Sequence, residues 1–209
     1  MHPPAAGFRS RYHAILVILY AVWWVVLAVD PVYREDWVLE NLLVVVTVVV
    51  MWRLYHRLPL SDVSYTLIAI FLAFHTLGSH YTYAEVPLGD WMAATFEFER
   101  NHYDRVIHFA FGLLMYWPFR EVTERAVQVH GAWIDYTTVL FVVALSAFYE
   151  AIEWVAATII HPEAAYAFLG TQGDLFDAQK DHALAIVGAI ISFFLAKWLI
   201  RSGRLPVPN

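Results

Sequence analysis

Three stretches of this 209-residue chain carry carboxylates and imidazoles at helical spacing inside apolar surroundings. Glu150 and Glu153, three residues apart, share one face of a helix; so do Asp104 and His108, at a spacing of four. Asp174, Asp177 and Asp181 fall on a third stripe. Oxygen and imidazole donors of this kind suit a divalent cation, and His108, Glu150, Glu153, Asp177 and Asp181 are the candidate ligands. A water activated by such a cation attacks an ester, amide or phosphodiester. Without a metal, two close carboxylates share a proton and supply an acid and a base. Glu150, Glu153 and Asp104 are therefore the candidate catalytic groups, Asp104 as the residue that orients His108. Arg105, Lys180 and Gln172 stand beside them as candidate substrate-binding residues, the two cations for a phosphate. The chain has no Cys, which excludes thiolate catalysis, disulfides and Cys-ligated metals, and it has no HExxH zinc signature.

The setting gives these residues their weight. Hydrophobic residues make up 60% of the chain and charged ones only 15%, against roughly 25% in an average soluble domain. Runs long enough to cross a hydrocarbon core about 30 Å thick occur six times, at about 12–29, 37–54, 62–79, 103–119, 134–160 and 177–200. The expected fold is all-α: a polytopic membrane protein with six transmembrane helices in one bundle and a single domain over 1–209. Ser61-Asp62 marks the start of the third span, and His161-Pro162 closes the fifth. Residues 80–102 form the longest loop, an aromatic and acidic stretch expected to cap the outer side.

Orientation follows from Lys and Arg. With both termini inside, nine of the thirteen (Arg9, Arg11, Arg53, Arg57, Arg120, Arg125, Lys197, Arg201, Arg204) lie on the cytoplasmic side. Only Arg34, Arg100, Arg105 and Lys180 lie outside. That places the acids and histidines of four spans in the outer half of the bundle, with Glu153 and Glu150 roughly 12 and 16 Å below the outer end. A net charge of −6 without a basic block excludes a nucleic-acid partner.

Each residue also has a purely structural reading. Asp174 serves as a helix N-cap with Asp177 in the first turn; Arg105 and Lys180 neutralise nearby acids; His75 and His80 are interfacial. Gly112 and Gly188 are close helix contacts, and Glu150 with Glu153 is a buried network joining helices.

Three stretches, 103–109 (YDRVIHF), 146–154 (SAFYEAIEW) and 170–181 (GTQGDLFDAQKD), resemble in order the YjdF-type family of bacterial inner-membrane proteins. An Asp-x-x-x-His-Phe stretch and a final Asp-rich stretch before a Gly-containing helix are similar, more loosely, to the VanZ-like group. That group is associated with glycopeptide resistance, so the resemblance implies an envelope setting. It carries no reaction and no catalytic residues with it.

Two classes of function fit. The first is a metal-assisted hydrolase or transferase acting on a membrane lipid or cell-wall precursor, with a divalent metal ion as cofactor. The alternative is a proton- or cation-coupled transporter, or a non-catalytic scaffold that binds an envelope component or antibiotic. Small-residue helix faces on several spans are compatible with a homo-oligomer.

Overall fold

The computed structural model describes residues 10–159 and 171–204; the turn at His161-Pro162 lies outside them. Among the described residues there are seven helices and no strand: α1 (Arg11–Leu27), α2 (Arg34–Leu54), α3 (Asp62–His80), α4 (Pro87–Phe96), α5 (Tyr103–Arg125), α6 (Ala132–Ile159) and α7 (Asp177–Arg201). Ser10 and Ser61 cap α1 and α3, each side chain accepting from the backbone N–H three residues on, at 3.2 Å. α4, begun by Pro87 and ended by Glu97 in the left-handed region (φ 57°), occupies the middle of the 80–102 stretch.

Four helices, α2, α3, α6 and α7, are long and apolar enough to cross a membrane. α1 is apolar but only 17 residues long. α5, at 23 residues, carries charges at both ends and runs through Pro118 to Arg125, further than the expected end at 119. Beside the packing of Phe119 and Val122 on the core, polar side chains hold its end. Glu121 accepts from Trp117 Nε1 at 3.0 Å and from the Ser61 N–H at 2.8 Å, and Arg120 Nε lies 3.1 Å from Asp135. Asp135 also accepts from Tyr116 at 2.8 Å and sits 3.5 Å from Lys197, so this end of α5, α6 and α7 is tied by ion pairs.

Outward faces are apolar. Val45, Val46, Val48, Val49 and Val50 of α2 are all exposed, as are Val22, Val25 and Val26 of α1. A water-soluble monomer does not present patches of that size, whereas acyl chains solvate them without cost.

α5 is the central helix, packed against α3, α6 and α7. Its contact with α7 is backbone to backbone: a Cβ on Gly112 would run into the carbonyl of Ala185, and one on Gly188 into that of Phe109. Buried Ala185, Ala189 and Ala196 extend the same small-residue seam along α7. The reading of both glycines as helix contacts holds. Replacing Gly112 by Val is expected to destabilise the protein by about 3 kcal/mol or more, since neither backbone can yield. Val22→Ala, on a lipid-facing position, is expected to stay within about 0.5 kcal/mol. Thermal unfolding in detergent measures both.

Candidate functional site

Asp104 and His108 lie one turn apart near the start of α5, and Asp181 lies one turn into α7. One ligand atom from each falls within 4.8 Å of the others. His108 Nε2 is 3.5 Å from Asp104 Oδ1 and 3.4 Å from Glu150 Oε1 on α6, so three helices converge on one imidazole. His108 is 7% exposed and Asp181 only 2%. Glu150 Oε1 and Asp181 Oδ1 are buried without a hydrogen-bond partner. Leaving such an acceptor unpaired costs about 1–3 kcal/mol, and more when it is charged. Oxygen-rich groups of this kind, with one imidazole, match the donor set of a hard divalent cation. Glu153 is half-buried one turn beyond Glu150 on the same face, outside the three-residue group.

Asp177, also a candidate ligand, is otherwise engaged. Arg100 approaches its two oxygens at 2.5 and 3.2 Å, and Arg105 stands 3.2 Å from the first. Asp174 draws Arg105 and Lys180, each at 2.5 Å, so both candidate phosphate-holding cations face acids of the α7 entry. Asp174 is not the N-cap, which is Phe176; its carboxylate instead accepts the Phe176 N–H at 3.1 Å in an Asx turn. Gln172 exchanges two hydrogen bonds with the Asn101 backbone, at 2.9 and 3.0 Å, and thereby locks this loop to the start of α5. Asn101 in turn reaches the Val86 carbonyl and Asp90 around α4. Burial first, then Arg105 and Arg100, hold the His102 imidazole below its usual pKa. Its Nδ1 stands 3.2 Å from Arg105 as an acceptor.

Two buried polar residues beside the site were not singled out for it by the sequence. Glu40 is 3% exposed and accepts from the Tyr149 hydroxyl of α6 at 2.5 Å. It falls within the span expected at 37–54, and an acid one turn inside a span was the available signal. His75 is buried, not interfacial. Its Nε2 faces the Glu40 carbonyl at 3.0 Å and must therefore donate, which leaves Nδ1 to accept from Tyr83 at 2.5 Å. Tyr149 stands between the two histidines, its ring 6.4 Å from His108 and 6.5 Å from His75.

Beneath this polar layer lies a cavity of about 620 Å³ between α2, α3, α5 and α6. His75, Tyr83, Asp104, His108 and Tyr149 line one end, and the rest, apart from Thr47, Pro118 and Ser146, is Leu, Val, Phe, Met and Ile down to Tyr55 and Leu58. α2 packs mainly on α3, and α6 on α5 and α7, so the α2–α6 side is open. Its lips are exposed: Val46 and Val50 on one side, Leu145, Phe148 and Ile152 on the other.

The family model described as "Predicted membrane protein (DUF2238)" matches residues 12–202, a range that holds every site residue above. The chain is 36% identical over 173 residues to the inner membrane protein YjdF of Escherichia coli (strain K12), covering 82% of each. No solved structure matches it.

The loop clasp makes a prediction about acid. Lys180 first, then the Phe176 N–H and Arg105, hold the Asp174 carboxyl down to about 2, below its unfolded value. The stability it contributes is therefore present above about pH 4 and lost as pH falls towards about 2. Asp174→Asn is expected to lower the unfolding temperature at pH 7, with the difference from wild type vanishing near pH 2. Thermal scans across pH check this.

Proposed function

Since the chain belongs to the DUF2238 family of predicted membrane proteins, whose description states a location and no reaction, we propose its chemistry from the site itself. The protein is a six-span inner-membrane protein with both termini cytoplasmic, holding a divalent cation in the outer half of the bundle and using it for hydrolysis or group transfer on a lipid or envelope substrate. The observation that carries this is Asp181: 2% exposed, with one oxygen unpartnered, and met from another helix by Asp104 and His108.

The topology is supported by the fate of the four basic residues on the outer side. Arg100, Arg105 and Lys180 are paired to Asp174 and Asp177, and Arg34 donates to the Ala28 carbonyl at 2.9 Å, capping α1. None is a free anchor working against the cytoplasmic excess of Arg and Lys. The 80–102 stretch, with α4, covers the outer end. The envelope setting implied by the likeness to the VanZ-like group belongs to the same proposal.

In this reading Asp104, His108 and Asp181 would hold the cation, which would supply Lewis-acid chemistry to an ester or phosphate oxygen. Glu150, 3.4 Å from His108, takes the proton from the attacking water as the new oxygen bond forms. It returns that proton to the leaving oxygen as the old bond breaks. Glu153, one turn away, makes the second carboxylate of an acid–base pair.

The test is metal content of the detergent-purified protein by mass spectrometry. Near-stoichiometric divalent metal is expected, lost in Asp181→Asn and His108→Gln while both variants stay folded, and kept in Glu150→Gln, which loses turnover of lipid esters and phosphodiesters. Absence of metal from folded wild type overturns the metal reading. Proton or cation flux in liposomes, abolished by Glu150→Gln, would establish a transporter in its place.

A further inference from the structure

The apolar slot ends on two of the three proposed metal ligands, Asp104 and His108. Along α5 its lining runs from Asp104 to Val122, which at ~1.5 Å per residue is roughly 27 Å, nearly the thickness of the hydrocarbon core. A cavity of about 620 Å³ extending over that length is long enough to take an extended hydrocarbon chain. The gap between α2 and α6 gives a chain a sideways route into it from the bilayer, past the exposed lips Val46 and Leu145.

We propose that the slot seats one hydrocarbon chain of a membrane phospholipid, whose phosphate lies at the Asp104–His108–Asp181 group. The proposal rests on the metal reading above, because acids and a phosphate meet at one point only with a cation between them. It identifies the substrate class as a phosphate-headed lipid drawn from the surrounding leaflet. The rest of that lipid lies outside the slot, against the exposed faces of α2 and α6. Recognition is then divided: the apolar chain is read by the slot, and the phosphate by the metal. Arg105 and Lys180, engaged by Asp174, take no part in it.

Boundary lipid coats any membrane protein, so the test must look inside. The full-length protein is placed in vesicles of phosphatidylethanolamine and phosphatidylglycerol, doped with phosphatidylglycerol bearing a diazirine on one chain, then irradiated, and the adducts are mapped by mass spectrometry. Phe71 and Ile107 line the slot at 6% and 5% exposure and are shielded from the bilayer, whereas Val22 and Val48 face it. Adducts on Phe71 and Ile107 are expected in wild type. They should fall about tenfold in Val46→Trp/Leu145→Trp, which closes the lips, with metal content and the labelling of Val22 and Val48 unchanged. Removing the metal with a chelator, or by His108→Gln, should lower the slot adducts while leaving boundary adducts alone.

Labelling confined to Val22 and Val48 in metal-loaded wild type overturns the lipid seat and leaves the metal reading standing. Slot labelling that ignores the chelator, or that a diazirine fatty alcohol matches at equal concentration, overturns the placement of the phosphate. Wild type without metal is a failure of the earlier reading, recognised by metal content alone before any lipid is added.

Discussion

The backbone contact of α5 with α7 governs the rest of the structure. Between helices in a bilayer there is no hydrophobic gain, because lipid tails are as apolar as the side chains they replace. What remains is close packing, and Gly112 against Gly188 brings two backbones to the nearest approach available. The two helices run in the same direction, so this contact also sets their relative height. His108 and Asp104 lie one and two turns back from Gly112, and Asp181 lies two turns back from Gly188. The same register that closes the seam thus delivers an imidazole and two carboxylates to one depth, where charge is costly unless shared.

Polar groups gather at the two ends of the bundle and divide its tasks. At the Arg125 end, Asp135 and Glu121 bind Arg120, Lys197, Ser61 and Trp117 in a network with its hydrogen-bonding capacity spent inside the protein. At the Tyr103 end, Asp174 and Asp177 are saturated by three cations, but Asp181 and Glu150, a turn or so deeper, keep oxygens in reserve. The boundary between structural and chemically available acids runs through one helix, between Asp177 and Asp181.

The sequence exposes half of this arrangement through one rule: an ionisable residue in an apolar run is expensive. That rule singles out Glu150, His108 and the acids of α7, and helical spacing pairs Asp104 with His108. It cannot say which acid of the 174–181 stripe is neutralised. That depends on Arg100, 77 residues from Asp177 along the chain, and on Asn101 and Gln172 joining two loops. Glu40 escapes notice because the charged residues Arg34, Glu35 and Asp36 just before it suggest an interfacial turn. Its partner Tyr149 lies 109 residues away. The six helix-length runs are visible as apolar stretches, while the continuation of α5 past Pro118 is accompanied by an ion pair from Arg120 to Asp135 of α6 that no local pattern reveals.

The open side between α2 and α6 changes the currency in which any guest is counted. A molecule reaching His108 by that route never passes through water, so its supply is set by its mole fraction in the leaflet and by diffusion in two dimensions. Diluting the cells or the buffer leaves that supply untouched, whereas altering the fluidity of the membrane or the make-up of its lipids changes it directly.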